Sequence, residues 1–257
     1  MIAAWDIELT AQETVALCGL GGEALFGLTL ALLREVAPDV ASLVHDLRGP
    51  KPLSISPLEG SVTRAGGQTV LSADCTAKFQ VCALSEDVAQ AVQRSLDAAR
   101  DCIVALGRGR AAVTLAEPVV QTSYGALRSQ ASKGYRISLR FVSPTSFRRR
   151  GKQVIWPFPE LVFGSLLQRW NAFSSIQIPS SYLSHNGEIK VSRYSVRTEL
   201  VEFGQYRVIG FTGEVEFTLP SAMPARIRQM INALADYAYF AGVGYKTSMG
   251  LGQCRRL

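Results

Sequence analysis

The same order of hydrophobic patterns occurs twice along this 257-residue chain, and that repetition narrows the folds open to it. Ala3 to Leu9 alternates as a strand does, with Trp5, Ile7 and Leu9 on one face. Gly21 to Val36 sets Leu25, Leu28, Leu32, Leu33 and Val36 at helical spacing, and Pro38 is expected to close that helix. Lys51–Pro57 and Gln68–Leu84 read as strands around a Gly66-Gly67 turn. Ser85-Glu86-Asp87 then caps a predicted helix to about Cys102, with Val88, Val92, Leu96 and Ala99 as its apolar stripe. Ala111 to Val120, rich in Val and Leu, closes the unit as a strand. The order is βαββαβ.

Beyond a polar linker, Gln121 to Gly134, the order recurs. Tyr135 to Val142 carries Ile137, Leu139 and Phe141 on one strand face. Pro159 to Phe173 is a predicted helix with proline in its first turn. Val191–Phe203 and Tyr206–Leu219 flank Gly204-Gln205 as a hairpin, Pro224–Phe240 is a helix, and a short strand runs from Leu251. These readings predict an α+β protein of two tandem ferredoxin-like (RRM-like) domains, residues 1–120 and 121–257. Such sheets often bind single-stranded RNA through stacked aromatics, but the expected aromatic motifs are absent from both halves.

Charge separates the halves. Residues 1–120 hold 9 Lys/Arg and 14 Asp/Glu, a net of −5; residues 121–257 hold 18 and 7, a net of +11. A basic module joined to an acidic one favours a polyanionic partner. Nucleic acid ranks ahead of membrane, since there is no basic amphipathic anchor helix and no apolar run of membrane-spanning length. The first residues, Met-Ile-Ala-Ala-Trp-Asp, do not have the form of a secretory signal, so a cytoplasmic location is expected. The five cysteines form no CxxC pair and read as buried thiols in a reducing compartment.

The most informative segment is Ala241-Gly-Val-Gly-Tyr-Lys-Thr-Ser-Met-Gly-Leu-Gly-Gln-Cys-Arg. Gly242, Gly244, Gly250 and Gly252 permit positive φ and close backbone approach, so amides can converge on a phosphate. Lys246, Thr247 and Ser248 would add a charge and two hydroxyls. A flexible helix-to-strand turn is the competing reading. A nucleotide-binding P-loop or dinucleotide fingerprint does not fit, because the helix precedes the segment and the glycine spacing differs.

This segment resembles the C-terminal glycine-rich loop of the repeat-associated (RAMP) superfamily. Two further stretches are similar to its CRISPR precursor-RNA processing endoribonucleases: Phe141-Val-Ser-Pro-Thr-Ser-Phe-Arg with the helix after it, and His45 followed six residues on by Lys51. The resemblance implies a metal-independent endoribonuclease that cuts CRISPR repeat RNA by 2′-hydroxyl attack, leaving 5′-hydroxyl and 2′,3′-cyclic phosphate ends. It implies His45 as proton-transferring group and Lys51 as the cation that stabilises the phosphorane or protonates the leaving oxygen. Some relatives add a tyrosine on the first helix; here Phe26, Leu30 and Ala31 occupy it. No metal and no cofactor are expected. Repeat RNA is the expected partner, with room for other effector subunits, and the chain would act as a monomer or homodimer away from membranes. The alternative is a non-catalytic RAMP subunit that binds guide RNA.

The run Phe147-Arg148-Arg149-Arg150-Gly151-Lys152 lies in the basic half and reads as a contact to RNA backbone, with Arg193 and Arg197, Arg128 and Lys133 extending it. His185 reads as a loop-tip residue, and Arg34 as a surface cation of the first helix.

Overall fold

A computed structural model of the protein describes residues 1–182 and 189–257; His185 lies outside them. The early alternation forms β1 (Ile2–Ala11), followed by β2 (Val15–Cys18), α1 (Gly22–Val36) and α2 (Pro38–Asp46). Next come β3 (Leu53–Ile55), β4 (Glu59–Gly60), β5 (Val62–Ala65), β6 (Gln68–Leu71), β7 (Thr76–Ala83), α3 (Glu86–Ala99), β8 (Ile103–Leu106) and β9 (Gly109–Thr122). The remainder is α4 (Tyr124–Gln130), β10 (Arg136–Thr145), β11 (Phe147–Arg149), β12 (Lys152–Val154), α5 (Pro159–Phe173), β13 (Lys190–Phe203), β14 (Tyr206–Thr218), α6 (Ala225–Ala241) and β15 (Cys254–Arg256).

Each half builds a sheet with its strands in ferredoxin-like order. In the first, β3-β7-β1-β9 places the second, third, first and fourth strands of the motif side by side, with β8 added at the edge. In the second, β13-β14-β10-β15 repeats that order. The central pairs are antiparallel, with Ile7 opposite Phe79 and Leu139 opposite Val215. Inward side chains fill the cores: Trp5, Ile7, Leu9, Phe79 and Val81 with Leu25 and Leu33 of α1 and Val88 and Val92 of α3 in the first; Ile137, Leu139, Phe141, Phe163, Trp170 and Phe217 in the second. The tandem α+β arrangement is the one that the hydrophobic pattern predicts.

Two local expectations need correction, for Gln68–Leu84 and for the linker, and the structure adds detail at Pro38 and at the basic run. Gln68–Leu84 is not one strand. Asp74, at φ 61, turns the chain between β6 and β7, and β6 joins a separate three-stranded ribbon, β2-β6-β5. Pro38 ends α1 by opening α2 as its first residue, since proline lacks only an N–H that a first helical turn leaves unbonded. The linker holds a helix, α4, capped by the Ser123 hydroxyl accepting from the Ala126 N–H. The basic run is a two-residue hairpin: Arg150 (φ 50) and Gly151 (φ 77) both take the left-handed backbone that such turns require.

The chain divides into two compact units. The first is Met1–Gln121 with Val201–Val208 and Ser248–Gly250; the second is Thr122–Leu200, Ile209–Thr247 and Leu251–Leu257. Within the first, the Gly250 N–H donates to the Ile55 carbonyl (3.2 Å). There too, a Cβ on Gly22 would fall 1.9 Å from the Met249 carbonyl oxygen.

Glycine substitution separates packing from propensity. A Cβ on Gly252 (φ 72) would lie 2.2 Å from the Val243 carbonyl oxygen, whereas exposed Gly27 on α1 has open space around it. Gly252→Ala is expected to destabilise by roughly 1–3 kcal/mol, and Gly27→Ala to stabilise by about 1 kcal/mol, as read from urea midpoints.

Candidate functional site

Two sets of residues carry the candidate chemistry, one in each unit. In the first, α2 ends at Asp46, which sets His45 in the last helical turn and not in a loop. The His45 side chain is 58% exposed, and its Nδ1 lies 2.7 Å from Asp46 Oδ1. A carboxylate at Nδ1 favours the proton there, which leaves Nε2 as the lone-pair nitrogen. His45 and Asp46 thus form a pair able to take up a proton from a bound hydroxyl.

Lys51 comes back beside this turn. Its Nζ donates to the carbonyls of Val44 (2.7 Å), His45 (3.0 Å) and Leu47 (3.0 Å), and it stands 5.9 Å from the centre of the Phe26 ring. Burial lowers the Lys51 pKa, and the nearby Asp46 carboxylate works against that shift. Arg34 is exposed in the last turn of α1.

The glycine-rich loop joins α6 to β15, and apart from Ser248–Gly250 its residues belong to the second unit. Val243 donates its N–H to the Gly252 carbonyl (2.7 Å), and Gly252 donates to the Pro144 carbonyl at the end of β10 (3.1 Å). Gly242, Gly244 and Gly252 all have positive φ, and a Cβ on Gly244 would fall 2.3 Å from the Ser146 carbonyl oxygen. The glycines thus have a packing role whatever they bind. Thr247 and Ser248 lie in one turn of 3-10 helix and are 1% and 7% exposed; the Thr247 hydroxyl is buried with no hydrogen-bond partner among the described residues. Lys246, at φ 56, is half-buried.

The hairpin reaches this loop through Tyr245, which the sequence reading passed over. The Tyr245 N–H donates to the Ser146 carbonyl (2.8 Å), and the Arg148 guanidinium stacks 4.6 Å from the ring centre. Lys246 Nζ lies 5.7 Å from the same ring. Arg149 and Lys152 are direct cross-strand partners, and like charges so placed repel. Arg148, Arg149, Arg150 and Lys152 are exposed, and none meets a carboxylate in an ion pair among the described residues. Anionic backbone would relieve that repulsion.

Behind the loop, α5 contributes two side chains one turn apart. Ser165 Oγ accepts from the Gly244 N–H (3.2 Å), and Arg169 donates to the carbonyls of Ala241 (3.4 Å) and Gly244 (3.0 Å). Arg169 is 8% exposed; burial brings its pKa down to about 10, and the Tyr237 phenol opposes the shift. Only the phase of the α5 apolar stripe could have marked this arginine.

The other predicted cations stand apart. Arg193 is exposed on β13 and lines a groove with Tyr194 and Ser138. Arg197 is paired to Glu199 (3.0 Å), and Arg128 sits in the last turn of α4. The Lys133 carbonyl accepts from Arg228 (2.9 Å). Among the described residues no three His, Cys, Asp or Glu side chains gather so as to hold a metal ion. No helix there is long and apolar enough to cross a membrane.

A family model described as CRISPR-associated endoribonuclease Cas6 matches residues 139–254. The CRISPR-associated endoribonuclease Cas6 of Mycobacterium tuberculosis is 34% identical over 122 residues, which is 47% of this chain and 38% of that protein. The Streptococcus thermophilus Cas6 is 28% identical over 120 residues, 45% of this chain and 48% of that one. The aligned stretch thus spans less than half the length of either relative. The fold likeness runs further. The Cas6 (TTHB231) product complex superposes with TM-score 0.85 at 25% identity over 100% of both chains. The Cas6 (TTHA0078) product complex does so with TM-score 0.79 at 29% identity, over 100% of this chain and 99% of that one. The second half is thus similar in sequence to Cas6 endoribonucleases, and the fold of the whole chain is that of the solved Cas6 structures.

Proposed function

We propose that this protein is an endoribonuclease that cuts the repeat RNA of CRISPR transcripts into guide RNAs. The observation that carries the reading is His45, exposed at a helix end with Nδ1 engaged by Asp46. Support comes from the likeness to Cas6 product complexes and to a solved histidine-to-alanine variant of one of those proteins.

The hairpin cations and the Arg148–Tyr245 stack grip the RNA backbone, and Lys246 adds charge beside them. His45 Nε2 takes the proton from a ribose 2′-hydroxyl. The 2′-oxygen attacks the adjacent phosphorus in line, and the bond to the 5′-oxygen breaks. That oxygen takes up a proton from solvent as it leaves, giving a 5′-hydroxyl and a 2′,3′-cyclic phosphate, and His45 returns its proton to solvent. Nothing in this sequence of steps calls for a metal ion.

Cleavage of repeat RNA is expected to persist in EDTA and to vanish when the nucleotide before the cut carries 2′-deoxyribose. A strict metal requirement, or cutting of the deoxy substrate, would refute the mechanism. His45→Ala is expected to lower single-turnover cleavage by about 10²–10⁴-fold while binding is kept. Tight repeat binding without cleavage by the unaltered protein would instead mark a non-catalytic RAMP subunit. Replacing Arg148, Arg149 and Arg150 by alanine is expected to weaken binding. It would also make the log–log salt dependence shallower by about 2, the loss of roughly three phosphate contacts; filter binding across a salt series measures both.

A further inference from the structure

We infer that Lys51 serves the proposed cleavage as a positioning residue: it clamps the end of the helix that presents His45 and acts through that histidine, not on the phosphate. The inference rests on the reading of His45 as the proton-transferring group.

A helix leaves its last carbonyls without partners, and they are often met by a residue in left-handed backbone just beyond the end. No such residue follows α2. Leu47 has φ −59, and the chain continues through Arg48, Gly49 and Pro50 without positive φ. The Leu47 N–H returns to the Leu43 carbonyl at 3.2 Å. The Val44, His45 and Leu47 carbonyls are met by the Lys51 ammonium, at 2.7, 3.0 and 3.0 Å.

An ammonium has three N–H bonds, and three carbonyls accept them. Its charge also lies at the negative end of the helix dipole. For Nζ to reach a phosphate it would have to release the turn that carries His45. That histidine is held at two points, its carbonyl by Lys51 and its Nδ1 by Asp46. Gly49-Pro50 makes the return that a spacing of six residues needs.

The test compares single-turnover cleavage by the unaltered protein with Lys51→Ala, Lys51→Gln, His45→Ala and the His45/Lys51 double alanine variant. Two substrates are used: ordinary repeat RNA, and RNA with sulfur replacing the 5′-bridging oxygen at the cut, which leaves without protonation. Lys51→Ala is expected to cost about 100-fold, the scale of a misplaced group. Lys51→Gln, which keeps two N–H donors but no charge, should recover most of that loss. In the His45→Ala background Lys51→Ala should cost nothing further. The sulfur substrate should speed the unaltered and Lys51→Ala proteins by the same factor.

Hydrogen exchange supplies a readout independent of activity. The amides of Val44 to Leu47 should exchange faster in Lys51→Ala than in the unaltered protein while midpoints of unfolding stay close. Equal exchange refutes the clamp. Selective rescue of Lys51→Ala by the sulfur substrate would make Lys51 the general acid and overturn the inference. Losses that multiply in the double variant would assign it to the phosphate and do the same. In both of those cases the role of His45 stands. An unaltered protein that fails to cleave, or His45→Ala with full activity, overturns the functional reading and the inference with it.

Discussion

Close approach of backbone to backbone sets the form of the glycine-rich loop. A Cβ at Gly242, Gly244 or Gly252 would come within 2.9, 2.3 or 2.2 Å of its nearest neighbour. With those side chains absent, Val243 and Gly252 bond to each other, and Gly252 reaches Pro144 on β10. Arg169 then meets the Ala241 and Gly244 carbonyls from α5. A buried cation is costly without compensation. Here carbonyls supply it, and no carboxylate pairs with it among the described residues, so the positive charge stays beneath the loop. The placement of Tyr245, and through it the Arg148 stack, follows from this arrangement.

Sequence pattern reveals what depends on burial of one face. Ile137, Leu139 and Phe141 declare β10 because a half-buried strand must alternate, and Val88, Val92, Leu96 and Ala99 declare α3 for the matching helical reason. Features with a weak apolar signal were not legible. Helix α2 buries only Ala41 and Val44 and opens with proline, which can stop one helix and start the next. The break between β6 and β7 turns on Asp74 without the aid of glycine, so the residue types alone give no sign of it.

The candidate sites show the same division. The residue types were visible: a histidine, a lysine six positions on, a run of arginines, four glycines. Their partners were not, because most are backbone groups. Lys51 bonds three carbonyls, Arg169 two, and Tyr245 joins the loop to Ser146 through main-chain atoms. Net charge likewise gives sign but not location. Arg140 and Arg197 are matched by Glu214 and Glu199, and the cations of the hairpin are left to act outward.

The composition of the first unit bears on the order in which the chain acquires its structure. Besides residues 1–121 it contains Val201–Val208 and Ser248–Gly250. Gly250 gives the Ile55 carbonyl its partner, and Gly204 donates its N–H to Cys18 Sγ (3.1 Å). During synthesis the leading 121 residues therefore emerge before two of the pieces that complete them. Whatever structure they adopt on the ribosome, the N-terminal unit is finished only after residue 250 has been made, and the second only after Leu251–Leu257, so the half that is translated first gains no head start of its own length.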